Sequence, residues 1–127
     1  MNIVRKINNE LTIAGQITPE QLQQIADHGY KSVLNLRFPD ENGWWKIEQE
    51  KTEFLGLCYS NLPCKLKEID YQFALRLFQV ISELPKPILI HCDNSMRSAA
   101  IALLFIANQQ GMDFEKSLQK TIKFGIF

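Results

Sequence analysis

Ile88-Leu89-Ile90 runs directly into the short turn His91 to Ser95, and this into the largely apolar stretch Met96 to Gln110. A strand that is apolar at successive positions is buried on both faces, the pattern of a parallel strand inside an α/β sheet, because a strand with one wet face alternates. A helix that follows at once and is nearly as apolar must lie against that sheet. This pair predicts a central strand and a central helix joined by a tight turn, and the rest of the chain must supply layers on both sides.

The flanking segments supply them. Two short runs, Ile3 to Ile7 and Leu11 to Ile13, flank Asn8-Asn9, a pair that tolerates positive φ, and predict an N-terminal β-hairpin ended by Gly15. Thr18-Pro19-Glu20 is an N-cap followed by proline, opening a helix through Leu22, Ile25 and Ala26 to Gly29. Ser32 to Leu36 is a short buried strand, Arg37 to Gly43 a loop, Trp44 to Leu55 a helix closed by Gly56, and Leu57 to Leu62 another strand. After Pro63, residues Glu68 to Leu84 carry Ile69, Phe73, Leu77, Val80 and Ile81 on one helical face and stop before Pro85 and Pro87. Gly111 is a C-cap, and Asp113 caps a last helix through Leu118 and Ile122.

Alternating strands and helices of these lengths imply right-handed β-α-β crossovers. The expected fold is α/β: a small, mostly parallel sheet of four to five strands with helices on both faces and an N-terminal hairpin. With 127 residues, no repeat and no linker, residues 1–127 form one domain. Fourteen Lys plus Arg against fourteen Asp plus Glu argue against a nucleic-acid binder or a polybasic membrane-surface protein. No run reaches the roughly 20 apolar residues of a membrane span, and Met1 to Glu10 lack a signal-peptide core, so a cytoplasmic protein is expected. Three cysteines, Cys58, Cys64 and Cys92, then need not pair. His28 and His91 lie far apart and no Cys-x-x-Cys occurs, which argues against a metal site.

In such a sheet the ligand site lies beyond the carboxyl ends of the strands. Three connections fall there, beginning at Arg37, Pro63 and His91. A cysteine ending a core strand is ordinarily packing. Cys92, however, leads into a helix N-terminus, where unpaired N–H groups and the dipole favour thiolate and would lower its pKa from about 8.5 toward neutrality. The loop amides of Asp93, Asn94, Ser95 and Met96 would cradle an anion, and Arg97 adds a planar fork for phosphate or sulfate oxygens. Nucleophile and oxyanion cradle thus share one turn.

Ile88-Leu89-Ile90-His91-Cys92, a short loop and Arg97-Ser98 resemble the signature of cysteine-dependent protein-tyrosine and dual-specificity phosphatases. The opening hairpin, Ile13 to Glu20, Ser32 to Arg37 and Gly56 to Tyr59 follow that family's order across nearly the whole chain. The sequence resembles in particular the bacterial branch called beta-lactamase-hydrolase-like phosphatases, which carry Cys, four residues, then Arg-Ser. The resemblance implies that Cys92 attacks a phosphate monoester, the loop amides and Arg97 hold the phosphoryl oxygens, Ser98 hydrogen-bonds the departing thiolate and His91 helps hold Cys92. It implies a phosphorylated protein or small phosphate ester as substrate, and no cofactor.

Typical members place five residues between Cys and Arg, whereas four stand here, the spacing of many rhodaneses. Ser95 stands where both families usually have glycine, and Asn94, which tolerates left-handed φ, is a candidate to take over that geometry. Asp93 must point away from a bound phosphate or oppose it. The leaving oxygen needs a proton, and Asp70, Glu68 and Asp40 are the candidate acids, although Asp70 and Glu68 equally suit the start of the long helix. Arg37 is either a second positive charge in the cleft or a solvated loop arginine. Cys64, on the candidate acid loop, is either a bystander or a disulfide partner of Cys92. Cys58 reads as core, His28 as a helix C-terminus, and Trp44 and Trp45 as the start of a helix with one ring packed inward. Three functions stay open: a cysteine-dependent phosphatase, a rhodanese-like sulfurtransferase using a Cys92 persulfide, and a catalytically weak phosphate-binding interaction module.

Overall fold

The computed structural model describes residues 5–123. Five strands, β1 (Arg5–Lys6), β2 (Leu11–Ala14), β3 (Ser32–Asn35), β4 (Cys58–Asn61) and β5 (Ile88–His91), form one sheet in the order β1-β2-β5-β3-β4. Only the β1-β2 hairpin is antiparallel; β2-β5, β5-β3 and β3-β4 pair in parallel. The helices are α1 (Pro19–Asp27), α2 (Glu48–Phe54), α3 (Tyr71–Glu83), α4 (Met96–Gln109) and α5 (Phe114–Lys123). This is the α/β fold with a mostly parallel sheet that the sequence predicts. No helix among the described residues is long and apolar enough to cross a membrane.

β5 is the middle strand, and its side chains divide between two cores as the pleat requires. Ile88 and Ile90 join Leu11, Leu34 and Leu36 under Leu77 and Ile81 of α3 and Ile101 and Phe105 of α4. Leu89 and Val33 face the other way, onto Leu22 and Ile25 of α1. Each of these fully buried side chains stabilises the fold by roughly 1.5–3 kcal/mol relative to exposure. The apolar α4 is central as expected, covered on one side by the sheet and on another by α5.

Local chemistry sets the ends of these elements. Thr18 accepts from the Gln21 amide at 3.2 Å while the Gln21 side chain accepts from the Thr18 amide at 2.9 Å, a reciprocal cap on α1 with Pro19 behind it. His28 Nδ1 lies 2.6 Å from the Gln24 carbonyl at the other end. Gly111, at φ +80°, follows Gln110, the C-cap residue of α4, in the left-handed conformation that closes a helix.

Several expectations are corrected. The hairpin turn uses no positive φ at Asn8 or Asn9; the Asn8 side chain instead accepts from the amides of Glu10 and Leu11 at 2.8 and 2.9 Å. Ile3 and Val4 lie outside the described residues, as does the side chain of Ile122. The second helix begins at Glu48 rather than Trp44, because the segment before it is a succession of turns; Trp45 packs on the second core from that loop. The long helix begins at Tyr71, with a single 3₁₀ turn, Leu66–Glu68, before it. Cys58 is exposed, not core, because it opens the edge strand β4.

Candidate active site

The three connections predicted to converge do so. Parallel pairing of β3 with β5 sets Asn35 beside His91, so the chain leaves both strands at one edge, where the loops beginning at Arg37, Pro63 and Cys92 surround a cavity of about 690 Å³. Its lining includes Phe38, Asp40, Glu41, Cys64, Lys65, Leu66, Glu68, Asp93, Met96 and Arg97.

Cys92 is wholly buried and does not itself line the cavity, which is reached by its neighbours Asp93, Asn94, Met96 and Arg97; its Sγ lies 3.7 Å from Oγ of Ser98. The Ser98 hydroxyl is also within 3.1 Å of the Ala14 carbonyl and 3.0 Å of the Ser95 carbonyl, so it is fixed from β2 and from its own turn. Ser95 itself adopts φ +73°, the left-handed region that a side chain enters at a cost of order 1–2 kcal/mol. The expectation that Asn94 would take over that geometry is therefore corrected: its side-chain oxygen instead accepts from the Met96 amide at 3.1 Å.

Arg97 reaches the cavity from the first turn of α4, but not as a free cation. Nη1 and Nη2 donate to Oε2 and Oε1 of Glu41 at 2.8 and 2.7 Å, a bidentate pair. Nη1 also donates to the carbonyls of Leu36 and Cys64, each at 3.2 Å, and Nη2 lies 3.0 Å from Oδ1 of Asp93. The Arg97 hydrogen bond holds the Glu41 carboxyl down at about 2 against the opposing effect of burial. At Asp93 burial pushes upward, but the Arg97 guanidinium and the Asn94 amide outweigh it and leave the carboxyl below its ordinary range. The same carboxylates push the Arg97 guanidinium further up.

Arg37 is neither a cleft cation nor a solvated loop residue. It is 2% exposed, does not line the cavity, and donates to Glu41 Oε1 at 3.1 Å, to Gln16 Oε1 at 2.6 Å and to the Asn42 carbonyl. It thus holds the 38–43 loop in place and braces Glu41 from behind. The hydrogen bonds continue inward: Gln16 Nε2 donates to Glu48 Oε1 at 2.9 Å, and Glu48 Oε2 meets His91 Nε2 at 2.5 Å, both of that pair fully buried. His91 Nδ1 faces the Cys92 carbonyl at 3.3 Å. Glu41, Glu48 and Gln16 carry no local motif. A Glu four residues after a strand-end Arg is the one signal by which Glu41 could have been found.

Asp70 stands apart from the cavity: it is the N-cap of α3, accepting from the Phe73 amide at 2.8 Å, which corrects its assignment to the cleft. Glu68 and Asp40 line the cavity. Cys64 lines it too, buried, and that burial pushes its thiol up to about 11, with Arg97 acting downward and Cys92 upward. Lys65 Nζ sits 5.4 Å from the centre of the Phe38 ring across the rim. Among the described residues no three His, Cys, Asp or Glu side chains gather as a metal site would require.

No family model matches the chain. It is 30% identical over 105 residues to the beta-lactamase hydrolase-like protein of Xylella fastidiosa (strain Temecula1), covering 77% of this chain and 23% of that protein. The chain therefore spans about a quarter of the length of the curated relatives it matches. Among solved structures it is similar to the DUF442 protein of Shewanella putrefaciens CN-32, with a TM-score of 0.78 and 19% identity over 91% of this chain and 75% of that one. It is also similar to TpbA of P. aeruginosa in complex with pTyr, with a TM-score of 0.70 and 15% identity over 98% of this chain and 74% of that one.

Proposed function

We propose that this chain, which has the fold of the cysteine-dependent phosphatases and resembles the beta-lactamase hydrolase-like proteins over most of its length, hydrolyses phosphate monoesters through a phosphocysteine on Cys92. The observation that carries the reading is that Cys92, Arg97 and Ser98 share one strand-turn-helix unit whose residues Asp93, Asn94, Met96 and Arg97 line a cavity. In the first step the Cys92 thiolate attacks phosphorus, an S–P bond forms and the P–O ester bond breaks. Arg97 and the loop amides stabilise the equatorial oxygens as the charge redistributes. Water then attacks phosphorus, inorganic phosphate leaves, and Ser98 Oγ, 3.7 Å from the sulfur, donates to the returning thiolate.

The leaving oxygen takes its proton from a carboxylic acid on the cavity rim. Glu41 and Asp93 are unsuited to this, because Arg97 keeps both ionised. Asp40 and Glu68 remain, on opposite loops of the opening. Phe38, Leu66 and Met96 give the cavity apolar walls that suit an aryl ester such as phosphotyrosine. His91 acts as a positioning residue, tied to Glu48 and bearing on the backbone of Cys92.

The test is a paired assay on the native chain and Cys92→Ser: hydrolysis of an aryl phosphate, and sulfur transfer from thiosulfate to cyanide. Aryl phosphate turnover that Cys92→Ser abolishes supports the proposal. Sulfur transfer without phosphate hydrolysis supports instead the persulfide reading, which the four-residue spacing favours. Phosphate binding with neither activity supports an interaction module. Asp40→Asn and Glu68→Gln assign the acid: the true donor loses kcat on an alkyl phosphate more than on an ester with an acidic phenol, whose leaving group needs no proton.

A further inference from the structure

We infer that Asp93 is a specificity-determining residue of this site, its carboxylate standing where one oxygen of the incoming phosphoryl group must go. The inference rests on the phosphatase reading and adds a selection for dianionic groups.

A guanidinium presents two forks of paired N–H groups. Glu41 takes the Nη1/Nη2 fork of Arg97 with two hydrogen bonds, so a ligand can use only the Nη2/Nε side. Nε has no hydrogen-bond partner among the described residues, and Asp93 Oδ1 stands 3.0 Å from Nη2. The same oxygen accepts from the Asn94 amide at 2.8 Å. One carboxylate oxygen thus touches both a loop amide and the guanidinium, the two kinds of donor that a phosphoryl oxygen requires. The Met96 amide is likewise engaged, by the Asn94 side chain. Two loop amides, those of Asn94 and Met96, are thus occupied by the loop's own side chains, and Cys92 has no exposed surface.

The two carboxylates on Arg97 differ in how firmly they are held. Glu41 also accepts from Arg37 at 3.1 Å and from the Phe38 amide at 2.7 Å, so it is built into the loop. The Asp93 side chain is 50% exposed and rests on an i,i+4 ion pair and its neighbour's amide. Rotation about its own side-chain bonds releases it to solvent. A monoanion that displaces it exchanges one negative charge for another at Arg97 and gains little; a phosphate dianion brings a second charge and more acceptor oxygens. Asp93 is therefore a competitor that an aryl phosphate overcomes and an aryl sulfate does not.

Asp93→Asn tests this, since the amide oxygen retains the bond to the Asn94 N–H and only the charge is lost. Binding of inorganic phosphate is measured by calorimetry for the native chain and Asp93→Asn at pH 7, with thermal melting to verify folding. Asp93→Asn is expected to bind phosphate about tenfold more tightly, consistent with one lost charge repulsion of order 1.4 kcal/mol, and to lower the preference for aryl phosphate over aryl sulfate in kcat/KM. Unchanged or weaker phosphate binding in a folded Asp93→Asn overturns the inference, even if the native chain is an active phosphatase. Tighter binding in a chain that hydrolyses nothing upholds Asp93 as the competitor while rejecting the phosphatase reading.

Discussion

Glu48 Oε2 lies 2.5 Å from Nε2 of His91, and neither side chain meets solvent. The other Glu48 oxygen accepts from Gln16, whose carbonyl in turn accepts from Arg37. This buried chain links the residue before Cys92 to the loop that carries Glu41. Removing its middle leaves the buried His91 ring nitrogen without a partner, the costly case for a polar group, whereas Gln16 Nε2 keeps the Ile17 carbonyl at 3.1 Å. Glu48→Ala is expected to lose about 2–4 kcal/mol of stability by urea denaturation. Glu48→Gln, which keeps an acceptor, is expected to lose less.

Arg97 makes two parallel bonds to Glu41 while keeping a second edge for ligand, which a lysine ammonium cannot reproduce. Arg97→Lys is expected to reduce kcat/KM for an aryl phosphate by at least about 100-fold, the scale of losing a preorganised donor to the developing charge. Steady-state kinetics at saturating and limiting substrate check it.

The Glu41 carboxyl is held at about 2 in the folded protein against an ordinary 4.5. A folded-state value below the unfolded one means that the stabilisation is fully present above pH 4.5 and is lost as pH falls toward 2. At pH 7 Glu41→Gln is expected to be less stable than the native chain by about 1–3 kcal/mol. Denaturation midpoints of the two proteins should converge as pH drops below 4.5; a constant gap down to pH 2.5 would contradict the pairing.

Ser95 holds φ +73° at the mouth of α4. Glycine adopts that conformation freely but loses more entropy on folding, so Ser95→Gly is expected to raise stability by up to about 1 kcal/mol. Ser95→Val, which is stiff at its β-branched carbon, should lower it by more than that gain. Thermal melts of the three proteins give the order.

Cys58 and Cys64 differ in access to solvent. Burial pushes the Cys64 thiol up to about 11, whereas Cys58 is exposed at the start of β4. Iodoacetamide at pH 8 is expected to modify Cys58 at least tenfold faster than Cys64 in the folded protein, since thiolate and access together set the rate. Peptide mapping by mass spectrometry reads both sites at once.

The amino-acid sequence determined the sheet, the central strand and the identity of the turn. Ile88 to Ile90 and the apolar α4 can be buried in few other ways, and Cys92, Arg97 and Ser98 lie within seven consecutive residues, so one strand-turn-helix unit brings them together without help from the rest of the chain. Ser95 too was visible as a residue standing where glycine is usual. The partners of that turn were not. Glu41 meets Arg97 across 56 positions, Glu48 meets His91 across 43, and Gln16 meets Glu48 across 32. Their encounter depends on parallel pairing of β2, β5 and β3, which collects three distant loops at one edge. Local sequence offered Asp70 as the start of the long helix beside its reading as an acid, and the bond it accepts from the Phe73 amide is a local one; that Arg37 would turn inward onto Gln16 depends on partners that exist only once those loops have met. The tertiary structure decided which carboxylates hold Arg97, and so how much of its charge is left for a ligand.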